Sequence, residues 1–456
     1  MRPFEILTLI LASGAFTALI THKNRKIFLY VLFAATLCSI LQYYFEGNRW
    51  QFIPIVYSLP MMYVFHKLEK NSLSFIKKSI LGFCLLVGFI FSSLIPVFQL
   101  PDPPGTYSVG TETFHWVDTN RKELFTPEDP NDYRELIVQA WYPTKKSENK
   151  NPEPYLDYIN LRASTMAAAA GIPSFLPSYL NYINSNSLKN TICTIQNAPV
   201  LIFSHGITGS RHLHQLLFEF LASNGYVIFA PDHSFDANIT IFPNKKVSEY
   251  RSEITGHPDS VNIRKMQMNT RSSDIVFILD QINKINSGLI KSSLNSKLDL
   301  KNISAGGHSY GGATVIAASY KDKRIKACFN LDGWLSPVPK EVIDNGLNIP
   351  FLFLGRPSWS ESDYPKNYET LNIFIKNSQN TKFNLIINKT KHLDYSDIPL
   401  FSPIIKYIID VGDLPSNKST TLLNNIVYEF LEKFLINSSK NNFDKIISTK
   451  LIEPNI

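Results

Sequence analysis

The sequence predicts an α/β protein with a mostly parallel sheet, preceded by a bundle of about four transmembrane helices. Two observations lead to this prediction. The first hundred residues contain four long apolar stretches, and the rest of the chain alternates strand patterns with helical ones. The chain is also long for one compact domain, at 456 residues. We therefore expect transmembrane helices in residues 1–100 and a soluble domain in residues 101–456.

The apolar stretches run roughly over 4–21, 27–45, 51–66 and 79–100. The first and the last are long enough to cross a bilayer. The third is the shortest and carries two prolines, so it is the least secure span. A cleaved signal peptide is the alternative for the first stretch. Three further apolar runs and the lack of a clear small-residue cleavage site before "THKNRK" argue against it.

The basic residues of this region predict its orientation. Residues 1–100 carry a net charge of +6 out of +7 for the whole chain. Seven basic residues lie in the loops 22–26 and 67–78, and the opposite side holds only Arg2 and Arg49. Both loops are therefore expected in the cytoplasm, with residues 101–456 on the extracytoplasmic side. The nearly neutral remainder of the chain gives no reason to expect nucleic acid as a partner.

The soluble part shows a regular series of elements. Continuous apolar runs are typical of parallel strands that are buried on both faces. The predicted strands are 107–118, 135–144, 198–206, 225–233, 302–309, 325–332, 349–355 and 382–392. The predicted helices are 212–223, 262–285, 311–320 and 421–436.

One pentapeptide, "GHSYG" at 307–311, has the pattern GxSxG between a predicted strand and a predicted helix. In that context a serine sits on a sharp, strained turn that requires small residues two positions before and after it. The pattern predicts Ser309 as a nucleophile, with the N–H of Tyr310 directed at the same point. An ordinary glycine-rich turn is the alternative.

A serine nucleophile needs a base and an acid, which follow it in the chain in this architecture. His392 is the only histidine after Ser309, so we predict it as the base. For the acid we favour Asp332, at the carboxyl end of a predicted central strand. Glu361 and Asp363, in the loop after 349–355, are alternatives. A further pair, Asp394 and Asp397, is too close to His392 in sequence to be favoured.

The segment "SHGITG", 204–209, ends another predicted strand. Gly206 would let the backbone turn close to the serine, so the N–H of Ile207 is predicted to form an oxyanion hole with that of Tyr310. A plain strand-end turn is the alternative. His205 and His308 are expected to pack and to hydrogen-bond locally.

Other chemistry is not indicated. No metal-binding motif, phosphate loop or dinucleotide fingerprint is present, so no cofactor and no metal are expected. The cysteines at 38, 84, 193 and 328 lack ligand spacing and are expected to be free thiols.

Several of these segments together resemble the platelet-activating factor acetylhydrolases, serine lipases of the plasma and intracellular type. The similar segments are "LIFSHGITG", "GHSYGGAT", "FNLDGWLSPVP", "KHLDYSD" and "RELIVQAWYPT". The resemblance covers about residues 103–436. It implies an α/β-hydrolase fold, favours Asp332 over Glu361, and implies phospholipids with short or oxidised sn-2 acyl chains as substrates without a metal. The four predicted spans depart from that family.

An uncharged segment at 163–188, "ASTMAAAAGIPSFLPSYLNYINSNSL", is consistent with a lipid substrate. It is predicted as a lid-like insertion that covers an acyl pocket or lies on the membrane surface. An ordinary packed helical hairpin is the alternative. We also predict that Trp334 and Leu335 bind substrate, because with Tyr310 they would form the wall of an apolar cleft beside the serine.

The sequence thus predicts a multi-pass membrane-anchored serine esterase that acts on a phospholipid or another lipid ester. One alternative is a broader carboxylesterase or a triglyceride or polyester lipase, because this fold hosts many acyl substrates. The other is an inactive membrane receptor or scaffold.

Overall fold

The computed structural model describes residues 1–21, 24–69, 73–146, 151–252, 257–362 and 364–455. They form two compact units. The first unit combines the N-terminal residues Met1–Gln99 with Ile159–Ile183 and Leu400–Ile405, and the second unit contains the rest.

Each apolar stretch of the first unit forms a helix. The four helices are α1 (Pro3–Thr21), α2 (Arg25–Glu46), α3 (Ile53–Leu68) and α4 (Phe75–Leu94). Three of them, α1, α2 and α4, are long and apolar enough to cross a membrane, by length and composition. Helix α3 has 16 residues with Pro60 inside and is not one of these three.

The uncharged insertion packs within this first unit. It forms the second part of α5 (Ile159–Ala170) and a 3₁₀ helix, Leu176–Tyr182. The ring of Trp50 lies edge-on to that of Phe175, with 5.1 Å between ring centroids. The indole Nε1 of Trp50 also donates to the carbonyl of Leu176 at 3.4 Å. The insertion is thus packed against the turn before α3. It does not extend to residue 188, because a strand begins at residue 184.

The second unit is built on an eleven-stranded sheet, with a separate two-stranded hairpin formed by β7 and β8. The order across the large sheet is β13-β12-β11-β10-β9-β5-β6-β2-β1-β4-β3. The thirteen strands are β1 (Ser108–Lys122), β2 (Tyr133–Thr144), β3 (Pro152–Pro154), β4 (Asn184–Lys189), β5 (Ala198–Ser204), β6 (Val227–His233), β7 (Ile239–Ile241), β8 (Val247–Glu249), β9 (Leu298–His308), β10 (Ile325–Leu331), β11 (Phe351–Gly355), β12 (Lys382–Ile387) and β13 (Ile452–Pro454).

The centre of the sheet, from β12 to β6, is parallel, and antiparallel strands flank it on both sides. The helices of this unit are α6 (Gln215–Ser223), α7 (Ser260–Asn286), α8 (Tyr310–Lys321), α9 (Lys340–Asn345), α10 (Asn367–Asn377), α11 (Ser416–Phe434) and α12 (Phe443–Ile447). The prediction of an α/β fold with a mostly parallel sheet is therefore confirmed.

The sheet separates two apolar cores, and its strands contribute to both. In β5, Val200 and Ile202 belong to the core beneath α7 and α8. The alternate residues Leu201 and Phe203 belong to the core beneath α6 and α11. This alternation follows the two-residue period of a strand and explains why buried parallel strands read as continuous apolar runs.

The carboxyl ends of β5, β9 and β10 lie side by side along one edge of the sheet. The predicted strand 382–392 is shorter than expected, because β12 ends at Ile387. The four residues that follow, 388–391, carry the chain to a 3₁₀ turn, His392–Tyr395. His392 is consequently a loop residue at the edge where the other predicted site residues lie.

Candidate active site

Ser309 stands at a sharp turn between β9 and α8. Its backbone has φ 57° and ψ −123°, a region that residues other than glycine rarely adopt. The neighbouring glycines make the turn sterically feasible. A Cβ on Gly307 would lie 2.3 Å from the carbonyl oxygen of Gly311, and one on Gly311 would lie 1.9 Å from the carbonyl oxygen of Ser204. Larger residues at either position would displace the turn.

Three predicted side chains form one chain of hydrogen bonds. The Nε2 atom of His392 lies 2.9 Å from the Oγ of Ser309. On the other side of the ring, Nδ1 lies 2.6 Å from Oδ2 of Asp332. Asp332 is fully buried, whereas Ser309 retains 9% of its accessible surface. The hydroxyl is thus accessible while the carboxylate behind the imidazole is shielded from water.

The carboxylate of Asp332 is held from several directions. Its Oδ1 accepts hydrogen bonds from the indole Nε1 of Trp359 and from the backbone N–H of Arg356, both at 3.0 Å. Burial alone would raise the pKa of Asp332. The hydrogen bond from His392 and the nearby charge of Arg356 instead hold that pKa below its ordinary value. Asp332 is therefore ionised at neutral pH.

The alternative acids have other positions. Glu361 is exposed and is not hydrogen-bonded to His392, and Asp363 lies outside the described residues. Asp394 accepts from the backbone N–H of Lys391 at 2.8 Å. Asp397 accepts from the N–H of Gln215 at 2.7 Å and from the hydroxyl of Tyr155 at 3.1 Å. Both of these aspartates therefore stabilise loop and helix backbone.

The predicted oxyanion donors flank the serine. A Cβ on Gly206 would lie 3.1 Å from the Cβ of Ser309 and 3.6 Å from its Oγ, so this backbone approaches the serine as closely as glycine permits. The N–H groups of Ile207 and Tyr310 make no hydrogen bond within the described part of the chain. Among the described residues, these two unpaired N–H donors thus belong to Tyr310, which follows the serine, and to Ile207, which follows the glycine packed against it.

Aromatic rings cover one side of the turn that carries Ser309. The N–H of Trp334 donates to the carbonyl of Ser309 at 3.2 Å. Its ring lies 5.7 Å from that of Tyr310 and 4.0 Å from that of Tyr364, between centroids. Leu335 is fully buried in the apolar core. The structure therefore places Trp334 beside the serine, whereas Leu335 packs beneath the surface.

Comparison with known proteins places this site in a family. The sequence model of the family described as "Platelet-activating factor acetylhydrolase, isoform II" matches residues 95–456. The chain belongs to this family. The match begins after α4, so the four N-terminal helices lie outside it. The family membership confirms the predicted resemblance and the predicted enzyme class, a serine ester hydrolase.

Individual relatives of this acetylhydrolase family member are distant. The platelet-activating factor acetylhydrolase of Canis lupus familiaris is 24% identical over 377 residues, covering 77% of this chain and 81% of that protein. A probable 1-alkyl-2-acetylglycerophosphocholine esterase of Arthroderma benhamiae is also 24% identical, and the alignment covers 76% of this chain and 92% of that protein. The structure of a ferulic acid esterase from Streptomyces cinnamoneus superposes with a TM-score of 0.64 at 23% identity. The superposition covers 79% of this chain and 100% of that one. This last similarity supports the fold alone.

A buried ionic network of this acetylhydrolase family member supports the loop 204–209, which carries the predicted oxyanion donor Ile207. Arg271 on α7 donates to the carbonyl of His205 and, at 3.0 Å, to the Oγ of Ser204. Both of these bonds come from Nη2, while Nη1 of Arg271 lies 2.9 Å from Oδ2 of Asp236. The backbone of Asp236 in turn accepts from the N–H of Thr208 at 3.2 Å. The chain on both sides of Gly206 is thereby fixed to one helix.

Two histidines of the network are neutral. The Nε2 of His205 accepts from the backbone N–H of His233 at 3.2 Å, so its Nδ1 carries the proton and donates to the carbonyl of Gly206 at 2.6 Å. Burial and the charge of Arg271 hold the pKa of His205 well below its ordinary value. The same causes lower the pKa of His233 to about 4. Both side chains are therefore fixed hydrogen-bonding groups at neutral pH.

Sequence reasoning missed three groups at this site. Trp359 and Arg356 support Asp332 from the loop after β11, where the sequence predicted only an alternative carboxylate. The contact of Arg271 with the loop 204–209 was not predicted either. Tryptophan and arginine in a loop carry no spacing signal of their own, since their roles depend on which strands become neighbours.

Proposed function

We propose that this protein is a membrane-anchored esterase that hydrolyses short or oxidised sn-2 acyl esters of phospholipids through an acyl-enzyme on Ser309. The observation that carries the proposal is the continuous hydrogen-bonded chain from Asp332 through His392 to Ser309. It is supported by membership of a family whose relatives are named for the hydrolysis of acetylated and related phospholipids.

In the first half-reaction, the Oγ of Ser309 attacks the ester carbonyl carbon while Nε2 of His392 takes the hydroxyl proton. The resulting imidazolium is stabilised by the ionised carboxylate of Asp332 at Nδ1. The carbonyl oxygen becomes an oxyanion that accepts hydrogen bonds from the N–H groups of Ile207 and Tyr310. Collapse of this intermediate breaks the ester C–O bond, and the imidazolium protonates the departing lysophospholipid alcohol.

In the second half-reaction, a water molecule replaces the alcohol. His392 removes a proton from the water as it attacks the acyl-serine carbonyl, and the same two N–H groups stabilise the second oxyanion. Collapse releases the carboxylic acid and returns the proton to Ser309. All of the chemistry is supplied by this chain's own residues.

The first unit supports membrane anchoring through the distribution of its side chains. Large apolar side chains on the helices are exposed, including Ile10, Phe33, Tyr57 and Phe83. Charged and amide side chains are buried instead, including Glu5, Gln42, Arg49 and Gln51. In water this arrangement would be unfavourable, whereas in a bilayer apolar groups face lipid and polar groups pair inside the bundle. Glu5 and Arg49 do so, with 2.6 Å between Nε and Oε1.

Substrate selectivity tests the proposed function. The purified full chain in detergent micelles should hydrolyse an sn-2 acetyl phosphocholine lipid at least about tenfold faster, in kcat/KM, than its sn-2 palmitoyl counterpart, because the proposed function is selective for short sn-2 acyl chains. Ser287→Ala, an exposed serine at the end of α7, serves as the matched control for Ser309→Ala. Equal rates on both lipids would favour the broader lipase, and no turnover of either would contradict the proposed function.

A further inference from the structure

One arginine near the serine has no carboxylate partner among the described residues, unlike the other arginines there. Arg264, in the second turn of α7, stacks on the indole of Trp334, with 4.6 Å between its guanidinium carbon and the ring centroid. Its backbone carbonyl accepts a hydrogen bond from the hydroxyl of Tyr310 at 3.4 Å. These contacts place a cation against Trp334 and Tyr310, the aromatic residues beside the turn that carries Ser309.

The other arginines of the site are neutralised by carboxylates. Arg271 is paired with Asp236 at 2.9 Å, and Arg356 is paired with Asp410, also at 2.9 Å. Among the residues that the structure describes, no carboxylate forms an ion pair with Arg264. Within the described residues, its positive charge is therefore not balanced in the way that the charges of Arg271 and Arg356 are.

Two hydrogen-bond donors in this stack have no acceptor among the residues that the structure describes. The Nε of Arg264 and the indole Nε1 of Trp334 are both buried atoms without a hydrogen-bond partner in the described part of the chain. Trp334 itself is only 5% exposed. Buried N–H groups are normally paired, and leaving one unpaired is unfavourable. Both groups can only donate, so the chemistry that satisfies them is an acceptor, preferably a negatively charged one.

The position of the stack connects it to the reacting ester. The same Trp334 donates its backbone N–H to the carbonyl of Ser309 at 3.2 Å, and its ring packs on Tyr310, whose N–H is a proposed oxyanion donor. A substrate with its carbonyl at Ser309 would extend one of its branches along these rings.

We infer that Arg264 and Trp334 form a binding site for an anionic group of the ester substrate. The inference rests on the proposed function and adds a selectivity to it. The anion is either the phosphate of the head group or a carboxylate at the end of an oxidised acyl chain, since both offer charged oxygen acceptors to a guanidinium.

Binding measurements can test this site separately from catalysis. The full-length Ser309→Ala protein in detergent micelles is titrated with two pairs of lipids. The first pair consists of phosphocholine lipids whose sn-2 chain is glutaroyl or pentanoyl, which differ in a terminal carboxylate. The second pair shares an sn-2 acetyl group and either carries the phosphocholine head group or ends in a free glycerol hydroxyl. Each pair yields a ratio of dissociation constants.

Adding Arg264→Gln is expected to reduce the preference for the anionic member of one pair by about tenfold, the effect typical of losing a charge-assisted hydrogen bond. A change in the first pair identifies the acyl carboxylate as the ligand, and a change in the second identifies the phosphate. Arg264→Lys should retain part of the preference because it keeps the charge. Circular dichroism establishes that each variant is folded.

Lys265→Gln is the matched control, because it removes the same charge from an exposed neighbour on α7. The inference is overturned if Arg264→Gln leaves both ratios of dissociation constants unchanged, or if Lys265→Gln lowers these ratios equally. Turnover of the four lipids by the chain with Ser309 intact is measured alongside. Absence of all turnover would contradict the proposed esterase function, while the binding ratios would still decide the anion site.

Discussion

At the scale of single residues, the conformation of Ser309 is the most constrained feature of the site. A non-glycine residue in such a sparsely populated backbone region costs about 1–3 kcal/mol. Its own backbone offsets part of that cost, because its N–H donates to the carbonyl of Leu331 at 3.0 Å and its carbonyl accepts from Gly312 at 3.0 Å. The turn is thus fixed to the next strand, which holds the hydroxyl towards His392.

The acid assignment gives a prediction at the same scale. Asp332→Asn should lower kcat by about 10³–10⁴-fold, because an amide cannot hold the imidazole in the tautomer that accepts the serine proton. Glu361→Gln, which removes an exposed carboxylate from the nearby loop, should change kcat less than about twofold. Steady-state rates on a soluble activated ester measure both. The reverse pattern would transfer the acid role to Glu361 and contradict the site described above.

Predictability from sequence differs between these residues for a physical reason. Ser309 was predictable because the turn restricts its neighbours to glycine, and His392 because no other histidine follows the serine. Asp332 was harder to assign, since a carboxylate after β10 or after β11 could reach the same imidazole. Trp359 was not predictable, because its indole meets Asp332 only once the loop after β11 has folded back over β10.

At the scale of elements, the strand ends of the second unit are lined with buried neutral histidines. His214 precedes α6 and packs on Phe203, with 4.6 Å between ring centroids. Neither of its ring nitrogens has a hydrogen-bond partner among the described residues. Burial, and then the proximity of His308, hold the pKa of His214 well below its ordinary value of 6.5. Protonation of this histidine is therefore unfavourable only in the folded state.

This lowered pKa predicts a pH dependence of stability. Below pH 6.5 the unfolded chain protonates His214 and the folded chain does not, so stability falls as the pH falls. Two buried carboxylates, Glu219 and Asp397, act oppositely, because burial raises the pKa of each to about 7. A comparison of variants isolates the histidine. Between pH 7 and pH 5, the free energy of unfolding of the wild type should fall by about 1–2 kcal/mol more than that of His214→Phe.

Thermal unfolding of both proteins in detergent at the two pH values provides this comparison. Phenylalanine keeps an aromatic ring against Phe203, and any packing change that it causes acts at both pH values. The difference between the two shifts therefore reports protonation. Equal shifts of the wild type and of His214→Phe would show that His214 is not the acid-sensitive group.

Element boundaries were less predictable than element types. The central strands and α8 were predictable because continuous apolar runs and glycine-rich turns have strong local signals. The end of β12 was placed at 392 instead of 387, because "NKTKH" carries no strong turn residue. The packing of the insertion against the N-terminal helices was not predictable, because its composition fits a lid, a membrane surface and a helical hairpin equally well.

At the scale of the whole molecule, the proposed membrane anchoring predicts on which side the enzyme acts, depending on the number of crossings. Helix α3 alone is short, but the 3₁₀ turn Trp50–Phe52 leads directly into it. At ordinary helical rises the combined segment 50–68 is about 30 Å long, which matches the hydrocarbon thickness of a bilayer. Together with α1, α2 and α4 it would make four crossings.

Four crossings predict that residues after 105 lie outside the cytoplasm. An enzyme reporter that is active only outside the cytoplasm should be active when fused after Gly105 and silent when fused after Lys70. A cytoplasm-only reporter should give the opposite pattern. Activity of the cytoplasm-only reporter at Gly105 would mean three crossings, and the esterase would then act on lipids of the inner leaflet.

The central claim, an acyl-enzyme on Ser309, is tested most directly by mapping the site of covalent modification. The full-length protein in detergent is treated with an alkyl fluorophosphonate, which reacts with activated serines, and the modified peptide is sequenced by mass spectrometry. We predict a single adduct on Ser309 in the wild type and in Ser287→Ala, and neither adduct nor ester hydrolysis in folded Ser309→Ala. An adduct on another residue, or hydrolysis by Ser309→Ala at a rate close to that of the wild type, would contradict the claim.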